Sequence, residues 1–275
     1  MKTVILYHAN CYDGFGAAWA SWKKFGDEAQ YRPVQYGEAP VSIDGAETVY
    51  ILDFTYPRTF IEELRSRNGR VVIIDHHKSA MKALAGLDDT VFDLDKSASV
   101  LTWEYFFPGT ETPQLLRYIQ DYDLWKFELP NSKEVSIAIN SHPMDFSVWD
   151  GLDPKQLAVD GRPLLRLRQE TVRMMCNEAK VVRFEGHEVP VVNASSYSSE
   201  VGEELLKRYS TAPFTVSYHD RDGVRHWSLR SRPDFDVSVL ARSYGGGGHV
   251  QAAGFETLLT DENFLPQRST LSKID

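Results

Sequence analysis

Three apolar runs punctuate the first 75 positions: TVILYH (3–8), TVYILDF (48–54) and RVVIID (70–75). None shows the apolar–polar alternation of a half-exposed strand, so each predicts a strand buried on both faces. Between them, DGFGAAWASWKKFG (13–26) carries apolar residues at helical spacing and stops at Gly26. PRTFIEELRSRNG (57–69) opens on proline and closes on Asn-Gly, which predicts a short helix. Strand, helix, strand, helix, strand with wholly apolar strands predicts an α/β fold whose parallel sheet has helices on both faces.

From about 97 to 180 the period becomes helical, in ASVLTWEYFF, TPQLLRYIQDYDLW and the uninterrupted stretch after Pro163. After Val181 the pattern turns strand-like again: EVPVVNAS, PFTVSYHD and VRHWSLRS, the last two joined through a turn at 219–223. The expected layout is a metal-binding catalytic domain over 1–160 and a helical linker over 161–182. A smaller C-terminal α/β domain over 183–260 and a tail over 261–275 complete it.

Composition narrows the function. The 275 residues are 42% hydrophobic and 25% charged, with a net charge of −9. Such a balance suits a globular domain and argues against a basic face wrapping long duplex nucleic acid. Clustered carboxylates that hold cations still allow a phosphate-bearing substrate. Two cysteines, Cys11 and Cys176, give no disulfide framework, and no apolar leader or membrane-length run occurs. The expected setting is cytoplasmic, away from membranes; monomer and homodimer both remain open.

The chemistry lies where the apolar runs stop. The first ends at His8 and continues HANCYDG with Asp13; the second ends at Asp53; the third runs into Asp75-His76-His77. Functional groups of an open parallel sheet gather beyond the carboxyl ends of its strands, so these six side chains are expected within reach of one another. YIQDYDLW (118–125) offers a further acid, Asp121 or Asp123. Any one of these residues alone reads as a helix cap, a turn former or a satisfied histidine. Together they do not, because buried charges accumulate only with partners or metals. Mixed carboxylates and imidazoles suit Mn²⁺, Mg²⁺ or Zn²⁺, and two such ions about 3.5–4 Å apart promote phosphate-ester cleavage.

HANCYDGFGAA, ILDFTY, VVIIDHHKSA and IQDYDLW, in that order, resemble the four motifs of the DHH phosphoesterases. That family includes RecJ-type exonucleases and nanoRNases. The resemblance implies a two-metal site, usually Mn²⁺ with Mg²⁺, Co²⁺ or Zn²⁺ as alternatives, that hydrolyses phosphoester bonds. It implies His8 and Asp53 on one ion, and Asp13, Asp53, His76 and Asp121 on the other. It further implies that His77 is the catalytic or phosphate-contacting histidine and that Asp75 orients the histidine pair. Where the family commonly has an aspartate, this chain has Cys11, either a softer ligand that alters the first site or a non-ligand that leaves it weakened.

SYGGGGHVQAAGF (243–255) places four glycines before His249 and an expected short helix. Glycine backbone and a helix N-terminus both favour an anion, although such a run also reads as a flexible loop. It resembles the signature of the C-terminal domain that accompanies DHH modules. Gly246, Gly247, Gly248 and His249 are then expected to contact substrate phosphate, with Arg230 as a helper and Arg232 as a weaker candidate. The function expected is metal-dependent hydrolysis of phosphodiesters or phosphomonoesters in short single-stranded oligonucleotides or small nucleotides. A polyphosphate or pyrophosphate hydrolase and a non-catalytic nucleotide-binding module are the alternatives.

Overall fold

In the computed structural model the three expected strands lie side by side as the centre of a five-stranded sheet. The structure describes residues 3–35, 38–259 and 267–268. Its first strands and helices are β1 (Thr3–His8), α1 (Tyr12–Phe25), β2 (Gln30–Val34), β3 (Thr48–Leu52), α2 (Arg58–Arg67) and β4 (Arg70–Asp75). They are followed by α3 (Lys78–Ala83), β5 (Thr90–Phe92), α4 (Ala98–Phe106), α5 (Gln114–Asp123), α6 (Ser132–Ile139) and α7 (Phe146–Asp150). The strand order is β2-β1-β3-β4-β5 and every pairing is parallel.

Burial on both faces explains why the central strands are apolar throughout. Val4, Leu6, Val49, Ile51, Val71 and Ile73 pack with Ile61 and Leu64 of α2 on one face. The alternate residues Ile5, Tyr50, Leu52, Val72 and Ile74 pack with Ala17 of α1 and with Leu101 and Phe106 of α4 on the other. A one-residue slip of any central strand would exchange these two faces, so the packing fixes the register.

Two strands of this sheet were not expected. β2 is an edge strand with the sequence QYRPV, polar enough to escape a hydrophobic pattern, and its Pro33 is tolerable because it lies at the sheet edge. β5 has only three residues.

The chain divides into two compact units, 1–165 and 166–275. Helix α8 (Pro154–Asn177) runs across the division, starting earlier than the linker helix expected from 161 and passing through Pro163. The second unit contains β6 (Lys180–Phe184), β7 (His187–Asn193), α9 (Ser198–Arg208), β8 (Phe214–Arg221), β9 (Val224–Ser231) and α10 (Val237–Ser243). It ends with β10 (Gly247–His249), β11 (Ala252–Leu258) and β12 (Gln267–Arg268). Its seven-stranded sheet has the order β10-β11-β9-β8-β7-β6-β12, with β7 and β8 parallel and the other pairs antiparallel. Most of the expected tail lies outside the described residues. No helix among the described residues is long and apolar enough to cross a membrane.

Candidate metal centre

Because β1 pairs with β3 and β3 with β4, three polar strand ends emerge next to one another. His8 is the last residue of β1, Asp53 follows β3, and Asp75 closes β4. Gly14 brings a second set of groups to the same edge. A Cβ at that position would lie 2.5 Å from the His8 carbonyl oxygen, so only glycine lets α1 start this close to β1. Cys11 and Asp13 thereby stand beside His8.

Asp53 is the centre of the arrangement. It is 1% exposed, and neither carboxylate oxygen has a hydrogen-bond partner among the described residues. His8 Nδ1 lies 3.4 Å from its Oδ2 and His76 Nε2 lies 3.4 Å from its Oδ1. These are charge contacts, longer than charge-assisted hydrogen bonds. Asp53 also has φ of +65°, a strained conformation for an aspartate, held by its amide donating to Ile74 O at 3.0 Å. A buried carboxylate strained into place with both oxygens unsatisfied has the chemistry of a cation ligand.

Two of the groups whose donor atoms lie within 4.8 Å of one another meet at its two sides: His8 and Cys11 with Asp53 itself, and Asp13, His76 and Asp123. His76 Nε2 is 3.9 Å from Asp13 Oδ2 and 3.6 Å from Asp123 Oδ2. Asp13 is anchored from behind, accepting the Ala98 and Ser99 amides at 2.7 and 3.0 Å. One carboxylate thus caps α4 while facing the site.

Of the two acids in the fourth motif, the structure brings Asp123 to the site, which corrects the expectation for Asp121. The Asp121 carboxylate accepts the backbone amides of Glu128 and Leu129 at 2.9 and 3.2 Å, and so ties down the loop after α5. That loop begins directly after Asp123, the last residue of α5.

Asp75 lies with Asp53, His76 and His77 in a further group whose donor atoms are within 4.8 Å of one another, and it is engaged by its neighbours. Its Oδ1 accepts the His76 and His77 amides at 2.7 and 3.1 Å, and His77 Nδ1 donates to it at 2.7 Å. The imidazole of His77 is thereby fixed in tautomer and orientation.

Burial and the crowding of acids and imidazoles shift most of these groups. Burial and the nearby Asp53 carboxylate push Asp13 up. Burial, Asp53 and Asp13 push the Cys11 thiol well up. Burial and Asp13 also raise Asp123, although its side chain keeps 26% of its surface exposed. Burial alone would lower His76, but the acids Asp53, Asp123 and Asp13 outweigh it and hold the ring at about 9. Asp53 goes the other way: burial would raise it, and the His76 and His8 imidazoles more than reverse that.

In the second unit the glycine run forms a hairpin where a helix was expected. Gly247–His249 pair antiparallel with Ala252–Gly254, so no helix N-terminus follows the glycines, and α10 precedes them. A Cβ on Gly246 would meet Gly254 O at 2.1 Å. Gly248, at φ +138°, would meet Ala252 O at 2.5 Å. Packing therefore demands both glycines, whereas Gly247 faces open space. His249 is exposed on β10. Arg230 is half-buried, its guanidinium donating to Leu229 O at 2.8 Å and to Ser199 Oγ at 2.7 Å. Arg232 is engaged by the carbonyls of Leu206, Tyr209 and Ala212, which gives it a structural task.

No family model matches the chain. It is 29% identical over 279 residues to uncharacterized protein R106 of Acanthamoeba polyphaga mimivirus, covering 91% of this chain and 66% of that protein. It is 27% identical over 305 residues to oligoribonuclease NrnB of Bacillus subtilis, covering 94% of this chain and 73% of that one. The chain thus spans about two thirds to three quarters of these relatives. Among solved structures, an exopolyphosphatase-related protein of Bacteroides fragilis shares the fold, with a TM-score of 0.55, 17% identity, and 95% and 88% of the two chains covered. Thermus thermophilus RecJ in complex with Mn²⁺ shares it with a TM-score of 0.52, 13% identity, and 92% and 49% covered. Likeness to an oligoribonuclease over 94% of this chain, with three of the four motifs at adjacent strand ends and the fourth at the end of α5, makes the chain similar to the DHH phosphoesterases.

Proposed function

We propose that the protein hydrolyses phosphodiester or phosphomonoester bonds in short single-stranded oligonucleotides or small nucleotides with the help of two divalent cations. The observation that carries this reading is Asp53, whose two buried, unsatisfied oxygens face His8 on one side and His76 on the other. His8, Cys11 and Asp53 would hold one cation; Asp13, Asp53, His76 and Asp123 would hold the other. The second set, rich in carboxylates, suits Mn²⁺ or Mg²⁺. Bound there, such ions lower the pKa of water and neutralise charge on a phosphate.

The chain's own residues supply the rest. Asp75 holds His77 by Nδ1, and we assign the opposite ring nitrogen, Nε2, to the substrate, where it passes a proton to the leaving oxygen. Asp13, Asp53 and Asp123 all face His76 Nε2, and their negative charge keeps that imidazole turned into the site. Gly247, exposed and unencumbered, and His249 beside it on β10 are the groups we assign to a substrate phosphate. The free thiols of Cys11 and Cys176 favour a reducing, cytoplasmic setting.

The test is a panel of dinucleotides, three- to five-residue RNA and DNA oligomers, phosphoadenosine phosphate and pyrophosphate, assayed with Mn²⁺ and read by product mass. Release of mononucleotides or inorganic phosphate from the nucleotide substrates is expected. Turnover confined to pyrophosphate, or absent throughout, would overturn the reading.

A further inference from the structure

We propose that Cys11 is a metal ligand. Its Sγ, an imidazole nitrogen of His8 and a carboxylate oxygen of Asp53 form a thiolate-containing pocket for a thiophilic divalent cation: Zn²⁺, Fe²⁺ or Co²⁺ in preference to Mg²⁺. The inference rests on the two-cation reading above and gives one of the two positions its own chemistry.

Three observations converge. The donor atoms of His8, Cys11 and Asp53 lie within 4.8 Å of one another, a spacing at which one ion reaches all three. Asp53, 1% exposed, has both oxygens without hydrogen-bond partners, so this pocket contains an unsatisfied buried acceptor. The position of Cys11 is also fixed. It has extended backbone (φ −120°, ψ 131°) immediately before α1, whose start the missing Cβ of Gly14 lets lie against His8 of β1 and whose Asp13 is held by the Ala98 and Ser99 amides. A small side chain at this point faces the cluster.

The pocket differs from its neighbour in kind. Asp13, His76 and Asp123 offer oxygen and nitrogen only, whereas the Cys11 pocket adds sulfur. Soft thiolate favours Zn²⁺, Fe²⁺ and Co²⁺ over the hard, strongly hydrated Mg²⁺. The protein then has two unlike positions, one thiophilic and one suited to Mn²⁺ or Mg²⁺, sharing a single carboxylate.

The test loads the metal-free full-length chain with Co²⁺ and records its absorption. Wild type should show an intense near-ultraviolet band from thiolate-to-Co²⁺ charge transfer, together with the weaker visible bands of bound Co²⁺. Cys11→Ser should lose the near-ultraviolet band and keep visible bands from the other position. Cys176→Ser should retain both. In Zn²⁺ titrations Cys11→Ser should bind one equivalent at least about tenfold more weakly, a loss that even removal of a ligand's supporting partner produces. Co²⁺ uptake by wild type without the charge-transfer band would overturn the proposal, as would a band that vanishes in Cys176→Ser. The readout needs no turnover. A band in a protein inactive on oligonucleotides would sink the proposed function and leave Cys11 a ligand; activity without the band would do the reverse.

Discussion

His77 donates from Nδ1 to Asp75 at 2.7 Å, and the same carboxylate oxygen accepts the backbone amides of His76 and His77. Asp75 is fully buried. The pair places one imidazole at the lip of the site in one tautomer, with a negative charge behind it that stabilises the ring when it carries a second proton. Removing the imidazole and removing its orienting charge should therefore differ in size. His77→Ala is expected to lower kcat by about 10²–10⁴-fold, the range for a positioned acid or base. Asp75→Asn should cost about 10–100-fold, the range for a supporting partner. Steady-state kinetics on a dinucleotide, with circular dichroism to confirm folding, separates the two; equal losses would contradict the division of roles.

Asp121 and Asp123 are two residues apart and should fail in different ways. Asp121 satisfies two backbone amides, so Asp121→Ala strands them and should destabilise the fold by about 1–3 kcal/mol for each. Asp123→Ala should leave thermal stability of the metal-free protein nearly unchanged and weaken cation binding. Thermal denaturation with and without Mn²⁺ reads both. Stability loss in Asp123→Ala together with intact metal binding would show that the assignment is reversed.

Metal uptake should depend steeply on pH. With no cation bound, the acids around His76 hold its pKa at about 9, and Asp13 and Asp123 are raised as well. At neutral pH His76 therefore keeps a proton that a cation must displace. Affinity falls as pH falls and rises as pH approaches 9, by about tenfold (about 1.4 kcal/mol) per unit for each proton displaced. Calorimetric titration of Mn²⁺ at pH 6, 7 and 8 in buffers of different ionisation enthalpy should show this trend and proton release; pH-independent affinity would contradict it.

In the glycine hairpin the four positions should not be equivalent. Gly248→Ala forces a Cβ at φ +138° toward Ala252 O and should destabilise the second unit. Gly247→Ala meets nothing within 4 Å, so the fold should survive. If the Gly247 backbone approaches a phosphate, KM should rise while the melting temperature stays put. Unchanged KM would remove Gly247 from the substrate contacts.

The site was legible in sequence to the extent that local pattern determines it. An apolar strand buried on both faces advertises itself, and the polar residue that ends it is unmistakable at His8, Asp53 and Asp75. β2 was hidden because an edge strand needs no continuous apolar run, and β5 because three residues carry no period. The choice between Asp121 and Asp123 was not available locally. Both sit at the end of α5, and only the loop that folds back onto Asp121 decides which one faces His76. The glycine run misled for a related reason: VQAAGF has small residues compatible with a helix, but from Ala252 onward pairing with β9 makes it a strand. That removes the helix dipole from the case for anion binding and leaves only exposed backbone.

Paired cations seated about Asp53 are the centre of the account, and anomalous diffraction from crystals grown with Co²⁺ locates them directly. Two peaks about 3.5–4 Å apart are predicted, one among His8, Cys11 and Asp53 and the other among Asp13, His76 and Asp123, with Asp53 touching both. Well-ordered crystals with cobalt bound elsewhere, and no peak within reach of Asp53, would contradict it.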